Sequence, residues 1–340
     1  MSALSDLMDG LPDDERAATY DTLAESALGA FDVTAQEVVF MGHNSGAAFR
    51  VESADAGRLL LKVHAPQGDS EPLSAHAING GLQWLATIAA ATDLPVQTPL
   101  SDPRGALLPI VHFRGLSLPC SLQRWLEGQH VDELTTDQAH AVGDLMGRWH
   151  SISEQQAPVG GEAVHYDSRH LGQALDDLRV LSITDALTQD SWHTIEQATA
   201  MAGELIETIG KAADVFGAIH GDLNPDNIIV ADDGTVQFID LAQLAFAPYL
   251  WDVGVVLYQY SYQDASVRQA LMTGYCSARP GLTVPPLALE AFVCAAALTN
   301  LAFQCSIPAQ RVSTLFHTNV QKFATGYCRD LVNGVPFALD

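Results

Sequence analysis

"AIHGDLNPDNIIV", residues Ala218–Val230, sets His220, Asp222, Asn224, Asp226 and Asn227 within eight residues, between apolar runs that read as buried. A surface turn can hold such residues cheaply, because Asn and Asp beside Pro225 serve turn chemistry unaided. Two spacings point further. Asn227 follows Asp222 by five positions, the D-x-x-x-x-N interval of a phosphoryl-transfer catalytic loop. Thirteen residues after Asn227 stands Asp240, ending the apolar run "VQFID", which pairs with "NIIVA" across the turn "DDG". Such a hairpin brings Asn227 and Asp240 to one end. An amide carbonyl and a carboxylate are the hard oxygen donors that Mg2+ on nucleotide phosphates requires. Asp222, nearby but off the metal, can accept a hydroxyl proton or orient that hydroxyl for in-line attack on a γ-phosphate. His220 reads as an anchor of the loop, since phosphoryl transfer of this kind gives it no proton to carry.

Upstream, "DDERAATYDTLAESALGAF" (residues 13–31) places Tyr20, Leu23, Ala27 and Leu28 on one helical face behind acidic residues that suit a helix N-terminus. Three short apolar runs follow, Val38–Phe40, Ala48–Val51 and Leu59–Val63, separated by "GHNSG" and "SADAGR", and they predict a three-stranded antiparallel meander. Lys62 stands in the third run. A lysine there is costly unless an anion meets it, and a nucleotide phosphate is such an anion. Residues 70–96 predict a helix or helix pair loosened by Gly80 and Gly81 and ended by Pro95. Further strands are expected near Gln97–Leu100 and Ala106–Phe113. After Gly128 the texture turns helical, with one helix beginning at the Thr135 region, another from Ile183 to Phe216 and several after Val267. The expected architecture is α+β and bilobed, with a small β-rich N-lobe over residues 1–122 and a larger, mainly helical C-lobe over residues 123–340.

Composition limits the function classes. The chain has 340 residues, 48% of them apolar, which suits a globular enzyme with two lobes and a cleft. Against 41 Asp and Glu it has only 16 Lys and Arg, for a net charge of −25, which argues against a nucleic-acid partner. Because that charge is spread along the chain, it reads first as a solubilising shell suited to a salty cytoplasm, and it mildly favours a cationic acceptor. The five cysteines contain no C-x-x-C pair and suggest neither a zinc site nor a disulfide framework. "MSALSDLMDG" lacks the charged and apolar regions of a secretory signal, and "LALEAFVCAAALTNLAF" is interrupted by Glu290 and Asn300. A cytoplasmic protein with no membrane partner is the expectation.

"HGDLNPDNIIV" with "FIDLAQLAFAPYLWDVG" resembles the aminoglycoside phosphotransferase and choline kinase superfamily, whose bilobed fold is protein-kinase-like. Gly221 stands where the protein-kinase loop has Arg, the small-molecule-kinase form. "SGAAFRV" and "LLLKVH" resemble the N-lobe of that family, "LQRWLEGQ" its lobe connector and "VGDLMGRWHSI" a scaffold helix. The resemblance implies Asp222 as the catalytic residue, Asn227 and Asp240 as Mg2+ ligands and Lys62 on the nucleotide phosphates. It also implies that backbone groups of Gln123, Arg124 and Trp125 hold the purine of ATP or GTP, and that Gly42 and Gly46 let the first turn approach the phosphates. Asp252 in "LWDVG" is implied as a buried carboxylate accepting from the catalytic loop, and His150 reads as scaffold. The activity implied is phosphorylation of a hydroxyl on a small molecule of the amino sugar, homoserine or amino-alcohol type. Alternatives are a stress-response-type Ser/Thr protein kinase, or a nucleotide-binding pseudokinase module.

Two departures from the family pattern stand out. The helix after Lys62, "SAHAINGGLQWL", has no acid to pair with that lysine, which leaves Glu71 as the nearest acid and His76 as a poor substitute. Many relatives carry a second acid after the metal aspartate, where this chain has Ala242 and Gln243.

Overall fold

In a computed structural model, residues 3–43, 46–65, 74–156, 163–181, 187–241 and 244–340 are described. The chain divides into two compact units, residues 1–127 with 158–164 and 238–244, and residues 128–157 with 165–237 and 245–340.

The first unit is built on an antiparallel sheet. Helices α1 (Ala3–Asp9) and α2 (Asp13–Ala30) lead into β1 (Glu37–His43), β2 (Gly46–Ser53) and β3 (Gly57–His64). Helix α3 (Ala75–Ala91) and strands β4 (Pro99–Leu100), β5 (Ile110–Phe113) and β6 (Leu116–Arg124) complete it. Strand order is β1-β2-β3-β6-β4, with β5 against β6. Alternation along β2 sends Ala47, Phe49, Val51 and Ser53 inward, the period-2 pattern of a half-buried strand. Tyr20, Leu23, Ala27 and Leu28 of α2 join Phe49, Leu59, Leu61 and Leu122 in one buried cluster. Burial of side chains of this size stabilises by about 1.5–3 kcal/mol each before conformational entropy is subtracted.

One alternative left open by the sequence is decided in this unit, and one strand is added. The region loosened on paper by Gly80 and Gly81 is a single helix, capped by the Ser74 hydroxyl accepting from the Ala77 N–H at 3.2 Å, and both glycines are buried along it. Strand β6, the longest of the sheet, runs where no strand was expected, and only its last three residues, Leu122–Arg124, belong to the stretch "LQRWLEGQ". A turn at Arg114 and Gly115, both at positive φ, folds the strand back onto β5.

The second unit is mainly helical. Strand β7 (Gln129–His130) precedes α4 (Thr136–Gln155), whose start carries a capping box of Thr135 and Gln138. After β8 (Val164–His165) come α5 (Ser168–Leu181) and α6 (Gln189–Ile209). The long helix expected from Ile183 begins at Gln189, capped by Thr188, and stops at Gly210 with φ of 75°. Strands β9 (Phe216–Ile219), β10 (Ile228–Val230), β11 (Val236–Phe238) and β12 (Ala245–Pro248) follow, then α7 (Leu250–Gln259), α8 (Ala265–Ala278) and α9 (Ala288–Ser306). One small sheet has the order β11-β10-β7 and another β8-β12-β9. Helix α9 is long and apolar enough to cross a membrane, but 78% of its apolar window is buried within the protein. Its Glu290 accepts from the backbone N–H groups of Phe337 and Ala338, so the acid inside that apolar run is satisfied.

Candidate active site

In the second unit, β9 delivers the chain to His220, Gly221 and Asp222. The turn is fixed by Asp252 at the start of α7, which accepts the N–H of His220 and of Gly221, both at 2.8 Å. His150 of α4 holds the same carboxylate through Nε2 at 3.1 Å, and its Nδ1 lies 3.0 Å from the Tyr275 hydroxyl. Asp252 and His150 are 1% and 0% exposed. Burial alone would raise the Asp252 pKa, but the His150 bond and the backbone donors outweigh it and hold the carboxyl below its usual range. Burial pushes the His150 pKa down, so at neutral pH the ring is a neutral donor to the carboxylate.

Gly221 has φ of 81°. A Cβ there would lie 3.0 Å from Cε2 of Tyr166, whose ring stacks on Trp251 at 4.8 Å between centroids. Backbone conformation and the Tyr166 ring thus both select glycine between the histidine and the aspartate.

Beyond that turn, Asp222 is exposed and its carboxylate is bracketed by two amides. Asn224 Nδ2 donates to Oδ1 at 2.9 Å, and Asn227 Nδ2 donates to Oδ2 at 3.1 Å and to the Asp222 carbonyl at 2.7 Å. Pro225, Asp226 and Asn227 form a 3-10 turn capped by Asn224 Oδ1, which accepts from the Asp226 N–H at 2.9 Å. Asn224 therefore has two definite tasks, where turn chemistry alone was anticipated. Because Nδ2 of buried Asn227 is spent on Asp222, its Oδ1 is the atom with which this residue can meet a hard cation.

In the first unit, Lys62 lies opposite Ala48 of β2 and Ser121 of β6. Its ammonium pairs with Oδ1 of Asp240, which belongs to the same unit although it lies 178 residues further along the chain. The side chains are 21% and 46% exposed, so water screens the pair in part. On the missing acid of α3, His76 is exposed, Glu71 lies outside the described residues, and among the described residues Lys62 pairs with Asp240. Asp240 itself has φ of 61°, and its N–H donates to Oε1 of buried Gln97 at 2.8 Å. His64, two residues beyond Lys62, has Nε2 at 2.8 Å from Ser121 Oγ. Burial, assisted by the Lys62 charge, lowers its pKa to about 3.

The remaining expected positions have plain structural settings. Gln123 is buried on β6, and the N–H groups of Arg124 and Trp125 donate to the carbonyls of Thr98 at 2.8 Å and Arg58 at 3.2 Å. A Cβ on Gly46 would fall 2.2 Å from the Val63 carbonyl oxygen, so close approach of β3 demands glycine there. Gly42 lies just past a register shift in β1, where an added Cβ would meet nothing within 4 Å. The turn tip at Asn44 and Ser45 lies outside the described residues, as do Ala242 and Gln243.

Among the described residues no group of three or more His, Cys, Asp or Glu side chains is placed to hold a metal. Asn227 Oδ1 in the second unit and the Asp240 carboxylate in the first are each a hard oxygen donor of the kind Mg2+ takes beside waters and substrate phosphates. Gln97 and Asn224 are the residues that sequence reasoning left without a part in the site. Only Asn224, inside the motif, had any local signal.

A model of the phosphotransferase enzyme family matches residues 38–284. The homoserine kinase of Brucella anthropi is 25% identical over 278 residues, covering 77% of this chain and 78% of that protein. That of Rhizobium johnstonii is 28% identical over 193 residues, a match spanning 49% of this chain and 57% of that protein. Among solved structures, a microcompartment-associated aminopropanol kinase superposes with a TM-score of 0.71 at 23% identity, covering 92% of this chain and 98% of that one. An amicoumacin kinase in complex with AMP-PNP and Ca2+ gives 0.73 at 15% identity, covering 96% and 98%. The chain belongs to the phosphotransferase enzyme family, as a kinase-like phosphotransferase of the kind that acts on alcohol acceptors.

Proposed function

We propose that this protein is a Mg2+-dependent kinase that moves the γ-phosphoryl group of ATP or GTP to the hydroxyl of a small amine-bearing alcohol, homoserine being the leading acceptor. The observation that carries the reading is the Asp222 carboxylate, exposed at the head of its loop and fixed by the amides of Asn224 and Asn227. A carboxylate so held can accept the acceptor's hydroxyl proton, or orient it, without having to be organised during the reaction. The acceptor oxygen forms a bond to the γ-phosphorus as the β–γ bridging bond breaks, the proton leaves through Asp222, and the nucleoside diphosphate departs. Lys62 contacts the phosphates, exchanging the Asp240 carboxylate for a phosphate oxygen. Asn227 and Asp240 would hold Mg2+, which when bound would supply charge neutralisation for the nucleotide phosphates.

The purine lies against the segment Gln123–Trp125. The Arg124 and Trp125 N–H groups donate within their own unit, to the carbonyls of Thr98 and Arg58. Gly42, with open space at its Cα, tolerates phosphates close to the β1–β2 turn, and Gly46 lets that turn close on β3. Homoserine and aminopropanol, named in the relatives, both carry an ammonium; the acidic balance of the chain suits the net-cationic aminopropanol, while homoserine is a net-neutral zwitterion. The protein-kinase alternative is disfavoured, because residues 241–251 contain no Ser or Thr and four of them form β12.

Nucleotide consumption over a panel of homoserine, aminopropanol, choline and an amino sugar tests the reading, with Asp222→Asn as the control. Wild-type turnover on at least one acceptor, reduced about 100-fold or more in the variant, is expected. Equal rates of wild type and variant on every acceptor defeat it.

A further inference from the structure

Gln97 lies between α3 and β4 and is 5% exposed. A glutamine this deep needs a partner for its amide. Its Oε1 accepts the N–H of Asp240 at 2.8 Å. Strand β11 ends at Phe238, so the Asp240 N–H lies beyond that strand's own residues. Asp240 is also one of four described non-glycine residues with positive φ. A side chain keeps that conformation only where its surroundings fix it. The backbone angle in turn sets where the carboxylate points, and here it points at the Lys62 ammonium. Gln97 and Asp240 are 143 residues apart in the chain.

We propose that Gln97 is a positioning residue for this phosphotransferase: by accepting the Asp240 N–H it holds the left-handed backbone that keeps the carboxylate aimed at Lys62. Its consequence for metal rests on the reading of Asp240 as a Mg2+ ligand. Glutamine suits the task because it reaches far enough and brings a neutral acceptor. A carboxylate at the same place would add a second negative charge beside Asp240, and a shorter amide would fall short of the N–H.

Two variants separate this role from packing. Gln97→Met keeps the length of the side chain and removes the amide acceptor, whereas Gln97→Glu keeps an acceptor oxygen. Backbone hydrogen exchange at Asp240 and calorimetric binding of ADP, with and without Mg2+, are measured on the full chain. In Gln97→Met the Asp240 amide is expected to exchange about 5-fold faster, the loss of one hydrogen bond, and the Mg2+ needed for half-maximal ADP binding to rise by a similar factor. ADP binding without Mg2+ stays unchanged, and Gln97→Glu recovers most of the exchange protection. Unchanged exchange at Asp240 in Gln97→Met overturns the proposal, as does an equal loss of metal-free ADP binding. Faster exchange in a protein whose wild type gains no ADP affinity from Mg2+ upholds the role of Gln97 and removes the metal reading instead.

Discussion

Asp240 and Asp252 lie twelve residues apart, one in each compact unit, and they are held in opposite ways. Asp252 is 1% exposed and accepts two backbone N–H groups and an imidazole. The Asp240 side chain is 46% exposed, pairs with Lys62, and is steered through its own N–H. The first carboxylate belongs to the fold, because removing it strands buried donors. The second keeps its access to solvent and a counter-ion that a ligand can replace. Burial and the identity of the partner, more than residue type, separate the scaffold acid from the proposed metal acid.

The comparison breaks most visibly by deletion. Asp252→Ala leaves His150 and two loop N–H groups without their acceptor, and a loss of about 3 kcal/mol is expected, read as a fall of several degrees in melting temperature. Asp240→Ala should change stability by no more than about 1 kcal/mol, because water can take over from a screened pair, while the Mg2+ dependence of nucleotide binding disappears. Similar melting temperatures for the two variants would erase the distinction drawn between these residues.

Glycines sharpen it on a smaller scale. Gly221→Ala meets both a positive φ and the Tyr166 ring, and Gly46→Ala meets a carbonyl oxygen at 2.2 Å. Each is expected to cost about 1–3 kcal/mol in chemical denaturation. Gly42→Ala meets nothing within 4 Å and should stay within about 0.5 kcal/mol. A raised KM for nucleotide in Gly42→Ala, at unchanged stability, would mark that glycine as a phosphate neighbour.

The smallest effect is acid sensitivity. His64 has its pKa depressed to about 3 by burial, below the ordinary imidazole value of 6.5. The unfolded chain therefore binds a proton that the folded chain refuses, so the associated stability is intact above pH 6.5 and drains away as pH falls toward 3. Melting curves between pH 7.5 and pH 5 should show a shallower decline in His64→Gln than in the wild type. An unchanged slope removes His64 from the account of acid lability.

The legibility of this chain in its sequence follows from how local each signal is. The catalytic motif, the β1–β2–β3 meander and α4 with its Thr135 cap rest on spacing within a few residues, and they stand in the structure near the expected positions. Asp252 was legible only through the family resemblance, which implied a buried carboxylate in "LWDVG". Strand β6 was hidden, since "LSLPCSLQR" combines a proline with a run buried on both faces and shows no alternation. The glycines of α3 left a helix and a helix pair both open, because propensity alone cannot weigh the burial that keeps the helix whole in the fold.

By itself the sequence determined the residue types of the candidate motifs, an Asp and Asn five apart, a further Asp and a lysine in an apolar strand, since these are spacings and hydropathy that one chain displays. Tertiary structure alone decided the pairings: Lys62 with Asp240 across 178 residues, and Gln97 with the Asp240 backbone across 143. The physical reason is that a charged or amide group takes whichever complementary atom the packed chain brings within hydrogen-bonding distance, and no period along the sequence encodes that approach.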